Sequence, residues 1–168
     1  MHARLDARVG EWADAGSYGT YLRGTIRFRR GVEAAMRGGA WPIAWTWRPT
    51  MIEDQVLADA ADLGLEIGPP AMDMTPPGDV SALLGMLYVV EGSALGAKFL
   101  RQRAARLGFD DRFGARHLWA MAGASGWYRF LTELEDSPDF DLTRATASAS
   151  ATFGAALDSF GEASLVTA

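Results

Sequence analysis

The stretch 88-YVVEGSALGAKFL-100 interrupts a long apolar segment with a run of small residues. Its outer parts are typical of a buried helix, but in the middle only Leu95 is large. A glycine inside a helix costs roughly 0.5–1 kcal/mol relative to alanine, and Gly92 and Gly96 share one helical face. Two interpretations explain this glycine pair. Either a second helix packs closely against the backbone, or the backbone lines a pocket for a flat ligand, where a β-carbon would clash.

Helical periodicity recurs between glycine and proline breaks along the chain, and strand patterns are almost absent. We therefore predict an all-α, multi-helix bundle that forms one domain over residues 1–168. Ser17 and Asp79 are the predicted N-caps of two of the helices. The loop 41-WPIAWTWRP-49 is predicted to cover the core with its tryptophans. The predicted helices span residues 2–14, 18–37, 51–64, 80–107, 113–135 and 142–162.

Composition excludes several classes of function. The formal charge of −5 and the pI near 5.0 argue against a nucleic-acid-binding protein, which normally has a basic surface. The absence of cysteine excludes disulfides, thiolate metal sites and cysteine nucleophiles. The N-terminus lacks the apolar core of a signal peptide, and the apolar run from Val80 to Val90 is shorter than the roughly 20 residues of a membrane helix. We expect a cytoplasmic protein with no nucleic-acid or membrane partner.

Four stretches, in this order along the chain, resemble the bacterial heme oxygenase family. They are 2-HARLDARV-9, 18-YGTYLRGTIRFRRGVE-33, 87-LYVVEGSALGAKFL-100 and 115-ARHLWAMAGASGWYRFLTEL-134. The likeness is strongest to the biliverdin-producing type found beside bacteriophytochromes. It implies a heme oxygenase-like bundle in which heme lies between two helices. Heme would be both cofactor and substrate, cleaved to biliverdin, CO and ferrous iron with O2 and external electrons.

The resemblance also implies roles for individual residues. His2 is similar to the family's proximal histidine, the ligand of the heme iron, and Gly92 and Gly96 are similar to the distal wall. Ser93 stands where many heme oxygenases carry an aspartate that anchors a water network. Proton delivery would then depend on Ser93, on backbone groups or on water. Family members carry helical turns before the proximal histidine, and since only Met1 precedes His2, we expect those turns to be missing.

Other side chains have a structural and a functional interpretation. His117 is expected to be a structural residue rather than a heme ligand. Glu91 is either a surface residue or a group that orients a partner of the distal helix. Tyr18, Tyr21 and Phe130 are predicted core residues, with aromatic contact to the heme macrocycle as the alternative. Arg129 is the preferred partner of a heme propionate among the available cations, which are Arg4, Lys98, Arg101, Arg103 and Arg129.

The expected partners follow from the family. A ferredoxin or a flavin reductase would supply electrons at the exposed heme edge, and a bacteriophytochrome would accept the biliverdin. The alternative function is a non-catalytic heme-oxygenase-like module that binds heme or regulates a partner, which the short N-terminus and Ser93 favour. A thiaminase-like enzyme on the same scaffold needs a cysteine nucleophile, which this chain lacks.

Overall fold

The structure is a computed structural model that describes residues 9–68, 73–124 and 126–163. These residues form helices joined by turns and loops, and they contain no β-strand. The prediction of an all-α fold is confirmed. The helices within the described ranges are α1 (Ala15–Arg37), α2 (Glu53–Asp62), α3 (Val80–Ala94), α4 (Ala97–Arg106), α5 (Arg116–Gly123), α6 (Gly126–Glu135) and α7 (Leu142–Ala163).

The first predicted helix and the first predicted cap both need correction. Residues 2–8 of the predicted helix 2–14 lie outside the described residues. Residues 10–14 are described and are not helical, and Gly10 adopts a φ of 64°. The N-cap of α1 is Asp14 and not Ser17. Asp14 is extended, and its carboxylate accepts from the Ser17 N–H at 2.8 Å while the Ser17 hydroxyl accepts from the Asp14 N–H at 3.1 Å. This reciprocal capping box places Ser17 inside the first turn.

Helix α1 supplies the central stripe of the core, as its apolar spacing predicts. Tyr18, Leu22 and Val32 are fully buried along this stripe. On the α7 side of α1, a β-carbon at Gly24 would lie 2.8 Å from Cε1 of Phe160, so this glycine lets the two helices approach. The tryptophans of the loop 41–49 are partly buried against the same core, as predicted.

The segment predicted as one helix over 80–107 is divided in two. Asp79 caps α3, as predicted, by accepting from the Ala82 N–H at 2.9 Å. The helix is interrupted at Leu95 and Gly96, where the Leu95 N–H donates to the Gly92 carbonyl at 3.2 Å and the Gly96 N–H donates to the Ser93 carbonyl at 3.3 Å. These bonds span three residues instead of four, which tightens the turn at the second glycine.

The run Val80–Arg106 is long and apolar enough, by composition alone, to be compared with a membrane span. One 18-residue window has a mean hydropathy of 1.5. However, 56% of that window is buried inside the fold, as in the core helix of a soluble protein. The comparison is therefore weak evidence for a membrane segment, and packing explains the apolar composition.

The C-terminal half follows the predicted order, and its first helix starts later than predicted. The predicted helix 113–135 is divided into α5 and α6 at the glycine-rich stretch, and α5 begins at Arg116 because Gly114, with a φ of 75°, still belongs to the preceding turn. Helix α7 agrees with the prediction, and it packs against both α1 and α3. The bundle thereby surrounds the junction of α3 and α4, where the candidate site lies.

Candidate functional site

A cavity of about 530 Å³ opens beside the junction of α3 and α4. Gly92, Ser93 and Gly96 form one wall of this cavity. Tyr21 and Arg29 of α1 line it from another side, and Val9, the first described residue, also reaches it. A volume of several hundred cubic ångströms is typical of a ligand site. The structure thus brings the three residues predicted on the distal helix together at one cavity.

The two glycines of this wall have open space beside them. Among the described residues, a β-carbon at Gly92 would meet Cζ3 of Trp127 at 3.6 Å, and one at Gly96 would meet the Ser93 carbonyl oxygen of the same turn at 3.7 Å. Both are ordinary van der Waals distances, and neither neighbour is the backbone of another helix. These surroundings favour the pocket over close helix packing as the explanation of the glycine pair, because the bare backbone faces the cavity.

Ser93 connects the wall to a buried arginine. The Ser93 hydroxyl donates to the Val90 carbonyl at 2.6 Å and accepts from Nη2 of Arg29 at 3.4 Å. Its hydrogen is therefore committed to the helix backbone. Arg29 is 3% exposed, and Nη1 has no hydrogen-bond partner among the described residues. Burial lowers the pKa of Arg29, and the carboxylate of Glu33, 3.8 Å from Nη1, opposes that shift.

Two buried carboxyl groups lie near Arg29. Glu33 accepts from the backbone N–H groups of Ile52 and Glu53 at 2.9 and 3.2 Å, which ties α1 to the start of α2. Glu91 is 3% exposed, so its interpretation as a surface residue is wrong. Its carboxyl group packs against Gly126, where a β-carbon would lie 2.6 Å from Cδ of Glu91. Burial raises the pKa of Glu91, while the charge of Arg29 lowers it.

His117 lies behind the cavity and is fully buried. Its Nδ1 is 2.7 Å from Oδ2 of Asp59, and its Nε2 is 3.1 Å from the hydroxyl of Tyr21. Burial lowers the pKa of His117, and the hydrogen bond with Asp59 opposes this. Both ring nitrogens have protein partners, which agrees with the predicted structural role.

The comparisons with known proteins identify the family. Heme oxygenase PigA of Pseudomonas aeruginosa is 33% identical over 142 residues, which cover 80% of this chain and 71% of PigA. The chain belongs to the heme oxygenase family. A heme oxygenase of Xanthomonas campestris pv. campestris is 33% identical over 153 residues, covering 82% of this chain and 84% of that protein. No protein-family model matches the chain.

A solved heme oxygenase shares the architecture. The NO- and CO-bound heme oxygenase from Neisseria meningitidis superposes with a TM-score of 0.56 at 25% identity, covering 98% of this chain and 81% of that one. Among the cations predicted to meet heme propionates, Arg103 lines the cavity, and it donates to the Gly10 carbonyl at 2.7 Å. Arg129 is exposed on α6 and is not among the lining residues, so its role stays a prediction. His2 and Arg4 lie outside the described residues.

Arg29 is a buried charged residue of the cavity wall that sequence reasoning missed. A usable signal was present, because positions 18, 22, 25, 29, 32 and 36 follow one helical stripe, and Arg29 is the charged member. A charge on a buried stripe points to a paired or functional group. Asp59 was missed for a different reason. Its partner His117 is 58 positions away, a distance that no local pattern spans.

Proposed function

We propose that this protein is a heme oxygenase that cleaves heme to biliverdin, CO and ferrous iron. The observation that carries this proposal is the cavity wall built from the backbone of Gly92 and Gly96, found in a chain of the heme oxygenase family. The bare backbone can approach a flat ring without a β-carbon between them. When bound, heme would supply both the iron that activates O2 and the ring that is opened.

The described part of the cavity fits heme in shape and polarity. Tyr88, Leu95 and Phe99 line it and are 45%, 60% and 63% exposed, an unusual exposure for large apolar side chains. A flat, largely apolar ligand would cover them. Trp127 would meet the same ligand beside Gly92. The cavity therefore favours a ring system over a small polar substrate.

His2 and Arg103 are the proposed anchors of heme. His2 would be the proximal iron ligand through a neutral ring nitrogen, and the chain that carries it arrives at the cavity at Val9. Arg103 is held beside the cavity by the Gly10 carbonyl and by stacking 4.8 Å over Trp12. We propose that Arg103 pairs with one propionate. Arg129 is the second candidate for such a pairing, from its place in α6.

Arg29 is the proposed source of polarity at the distal wall. Ser93 directs its hydrogen to Val90, so it accepts rather than donates on its other side. Arg29 has donor groups and no acceptor, and it lies against Ser93 at the cavity. Arg29 would hold ordered water there, and in this way it would replace the aspartate that anchors the water network in other family members. We expect Arg29→Met to retain hemin binding and to slow biliverdin formation at least about tenfold, roughly 1.4 kcal/mol in the barrier.

Partners and location are part of the same proposal. O2 and an external electron donor, a ferredoxin or a flavin reductase, are required by the reaction. A bacteriophytochrome is the proposed acceptor of the biliverdin, and the cytoplasm is the proposed location. The acidic charge of −5 is in keeping with a chain without nucleic-acid partners.

A hemin titration of the wild-type chain and of His2→Ala, followed by ascorbate in air, tests the function. The enzyme is expected to show a saturable Soret band that converts to the spectrum of biliverdin, and His2→Ala is expected to lose that band. A Soret band that persists without conversion would assign the alternative, a non-catalytic heme-binding module. Absence of any binding would refute the heme proposal.

A further inference from the structure

Three buried side chains form a hydrogen-bonded chain that begins at the cavity wall and ends in the core. Tyr21 lines the cavity, and its hydroxyl is 3.1 Å from Nε2 of His117. Nδ1 of His117 is 2.7 Å from Oδ2 of Asp59. Tyr21 is 6% exposed, and the other two side chains are fully buried. Water therefore cannot replace any of these bonds without rearrangement of the core.

The partners of Asp59 fix the tautomer of His117. The Asp59 carboxylate accepts from the backbone N–H of Arg116 at 2.9 Å, from the Arg116 guanidinium at 3.0 Å and from the backbone N–H of His117 at 3.1 Å. A carboxylate can only accept, so Nδ1 of His117 carries the hydrogen that points to it. Burial lowers the pKa of His117, which keeps the ring neutral and leaves a lone pair on Nε2.

The tautomer in turn fixes the direction of the Tyr21 hydroxyl. Burial raises the pKa of Tyr21 to about 12, so the hydroxyl keeps its hydrogen at neutral pH. That hydrogen points to the lone pair on Nε2 of His117, since Nε2 has none to give. A tyrosine oxygen that donates this hydrogen can still accept hydrogen bonds through its lone pairs. Arg29, which lines the same cavity, can only donate.

We propose that Asp59 and His117 are positioning residues that hold the Tyr21 hydroxyl as an acceptor on its cavity side. This inference rests on the proposed function. A water beside Tyr21 would direct one hydrogen to the tyrosine oxygen and keep its second hydrogen for the bound ligand. Arg29 would donate from the neighbouring position. Together the two groups would order water in one direction, which a freely rotating hydroxyl could not do.

The first test is nitrogen NMR of the ligand-free protein with labelled histidine. The chain contains two histidines, so the spectrum of the His2→Ala variant assigns His117 directly. We expect the wild type to carry the hydrogen on Nδ1 and none on Nε2. A hydrogen on Nε2, or on both nitrogens, would overturn the proposal. This measurement needs neither heme nor a destabilised variant, so it remains decisive even if the proposed function fails.

Asp59→Asn is expected to reverse the direction of the hydrogen bonds that join Tyr21, His117 and residue 59. The Arg116 backbone N–H and guanidinium both donate to Oδ1, whereas one backbone group, the His117 N–H, donates to Oδ2. The amide nitrogen of asparagine is therefore favoured at the Oδ2 position, facing Nδ1, because fewer donors oppose it there. His117 would then carry its hydrogen on Nε2 and donate it to Tyr21, whose own hydrogen would turn into the cavity. The same inversion of tautomer explains inactive Asp→Asn variants of serine proteases. Arg116→Gln is the matched control, because it removes the ion pair and leaves the carboxylate.

The second test measures the C–O stretching frequency of CO bound to the hemin-loaded, reduced protein, which responds to hydrogen-bond donors in the cavity. The C–O stretching frequency depends on the hydrogen-bond donors that face bound CO. We therefore expect a shifted frequency in Asp59→Asn, where the Tyr21 hydroxyl turns into the cavity, and the wild-type frequency in Arg116→Gln. The double variant with Tyr21→Phe is expected to return to the frequency of Tyr21→Phe alone. A reversed tautomer with an unchanged frequency would overturn the proposal. So would a frequency change that persists without the Tyr21 hydroxyl.

Discussion

Gly85 and Gly92 lie on the same helix, α3, but they have opposite surroundings. A β-carbon at Gly85 would lie 2.8 Å from the carbonyl carbon and 3.0 Å from the α-carbon of Ala145, which are backbone atoms of α7. At Gly92 the described residue within reach is Trp127, at 3.6 Å from one ring atom. The first glycine allows two helices to touch, whereas the second lines the cavity.

Helix packing and ligand binding can both require a glycine, and the sequence alone does not distinguish the two. Small residues on a buried helix can serve the fold or a ligand, and both demands select glycine. Here the first half of α3 serves the fold, and the turn into α4 serves the cavity. Mutations at the two positions should therefore affect different measurements, one the free energy of unfolding and the other ligand affinity.

Gly85→Ala should have the largest effect on stability. The added β-carbon meets the backbone of Ala145, which cannot rotate away as a side chain can. Overpacking of this kind costs about 1–3 kcal/mol, so we expect a loss of about 2 kcal/mol or more in the free energy of unfolding. Urea denaturation measures it. The matched control is Gly154→Ala in α7, where no described atom lies within 4 Å of the new carbon, and a gain of roughly 0.5–1 kcal/mol is expected.

A Gly85→Ala variant as stable as the wild type would show that α3 and α7 can separate at little cost. Such a result would contradict the claim that Gly85 is required for the contact between α3 and α7. The control matters here, because the intrinsic helix propensity of alanine favours both variants equally. The difference between Gly85→Ala and Gly154→Ala isolates the contact with Ala145.

Gly92→Leu should affect ligand affinity instead. Its side chain would enter the cavity, so we expect the dissociation constant of hemin to rise about tenfold or more, roughly 1.4 kcal/mol. Gly92→Ala should show a smaller rise, because one methyl group occupies less of the cavity. The free energy of unfolding should not fall in either variant, and the helix propensity of alanine predicts a gain of roughly 0.5–1 kcal/mol for Gly92→Ala. A Soret titration and urea denaturation of the same samples test this, and a stability loss without a change in hemin affinity would contradict it.

The architecture was predictable to the extent that it depends on local signals. Asp79 precedes an apolar run and caps α3, and the glycine-rich stretch before Gly126 separates α5 from α6. Asp14 and Ser17 are both residue types that commonly cap helices, so the local sequence indicated a cap at either position. The order of the two residues in the capping box was missed, and this shifted the start of α1.

The small-residue wall of the site could be predicted from the sequence, whereas its buried polar and charged pairings could not. Gly92, Ser93 and Gly96 stood out because they break an apolar segment, and the structure places all three at the cavity. The partners of His117 did not stand out. Tyr21 and Asp59 join it from positions 96 and 58 residues away, and such pairings depend on how three helices pack. No periodicity within one segment contains that information.

Glu91 lies between the two regions compared above, and replacing it should have the smallest effect. Burial raises its pKa from the ordinary value of 4.5, so the folded protein holds this proton more tightly than the unfolded chain does. The contribution of Glu91 to stability is therefore complete below pH 4.5 and is lost as the pH rises through the folded pKa. Glutamine has nearly the same shape and does not titrate.

We therefore expect the free energy of unfolding of Glu91→Gln, relative to the wild type, to increase from pH 4.5 toward neutral pH. The increase should be smaller than the loss caused by Gly85→Ala. Urea denaturation at a series of pH values measures it, with Glu66→Gln as the control at an exposed position. His117 and Glu33 titrate in both proteins and so cancel in the difference. A constant or falling difference would show that Arg29 compensates the buried charge of Glu91 fully, and that the junction beside Gly92 tolerates an ionised group as well as a neutral one.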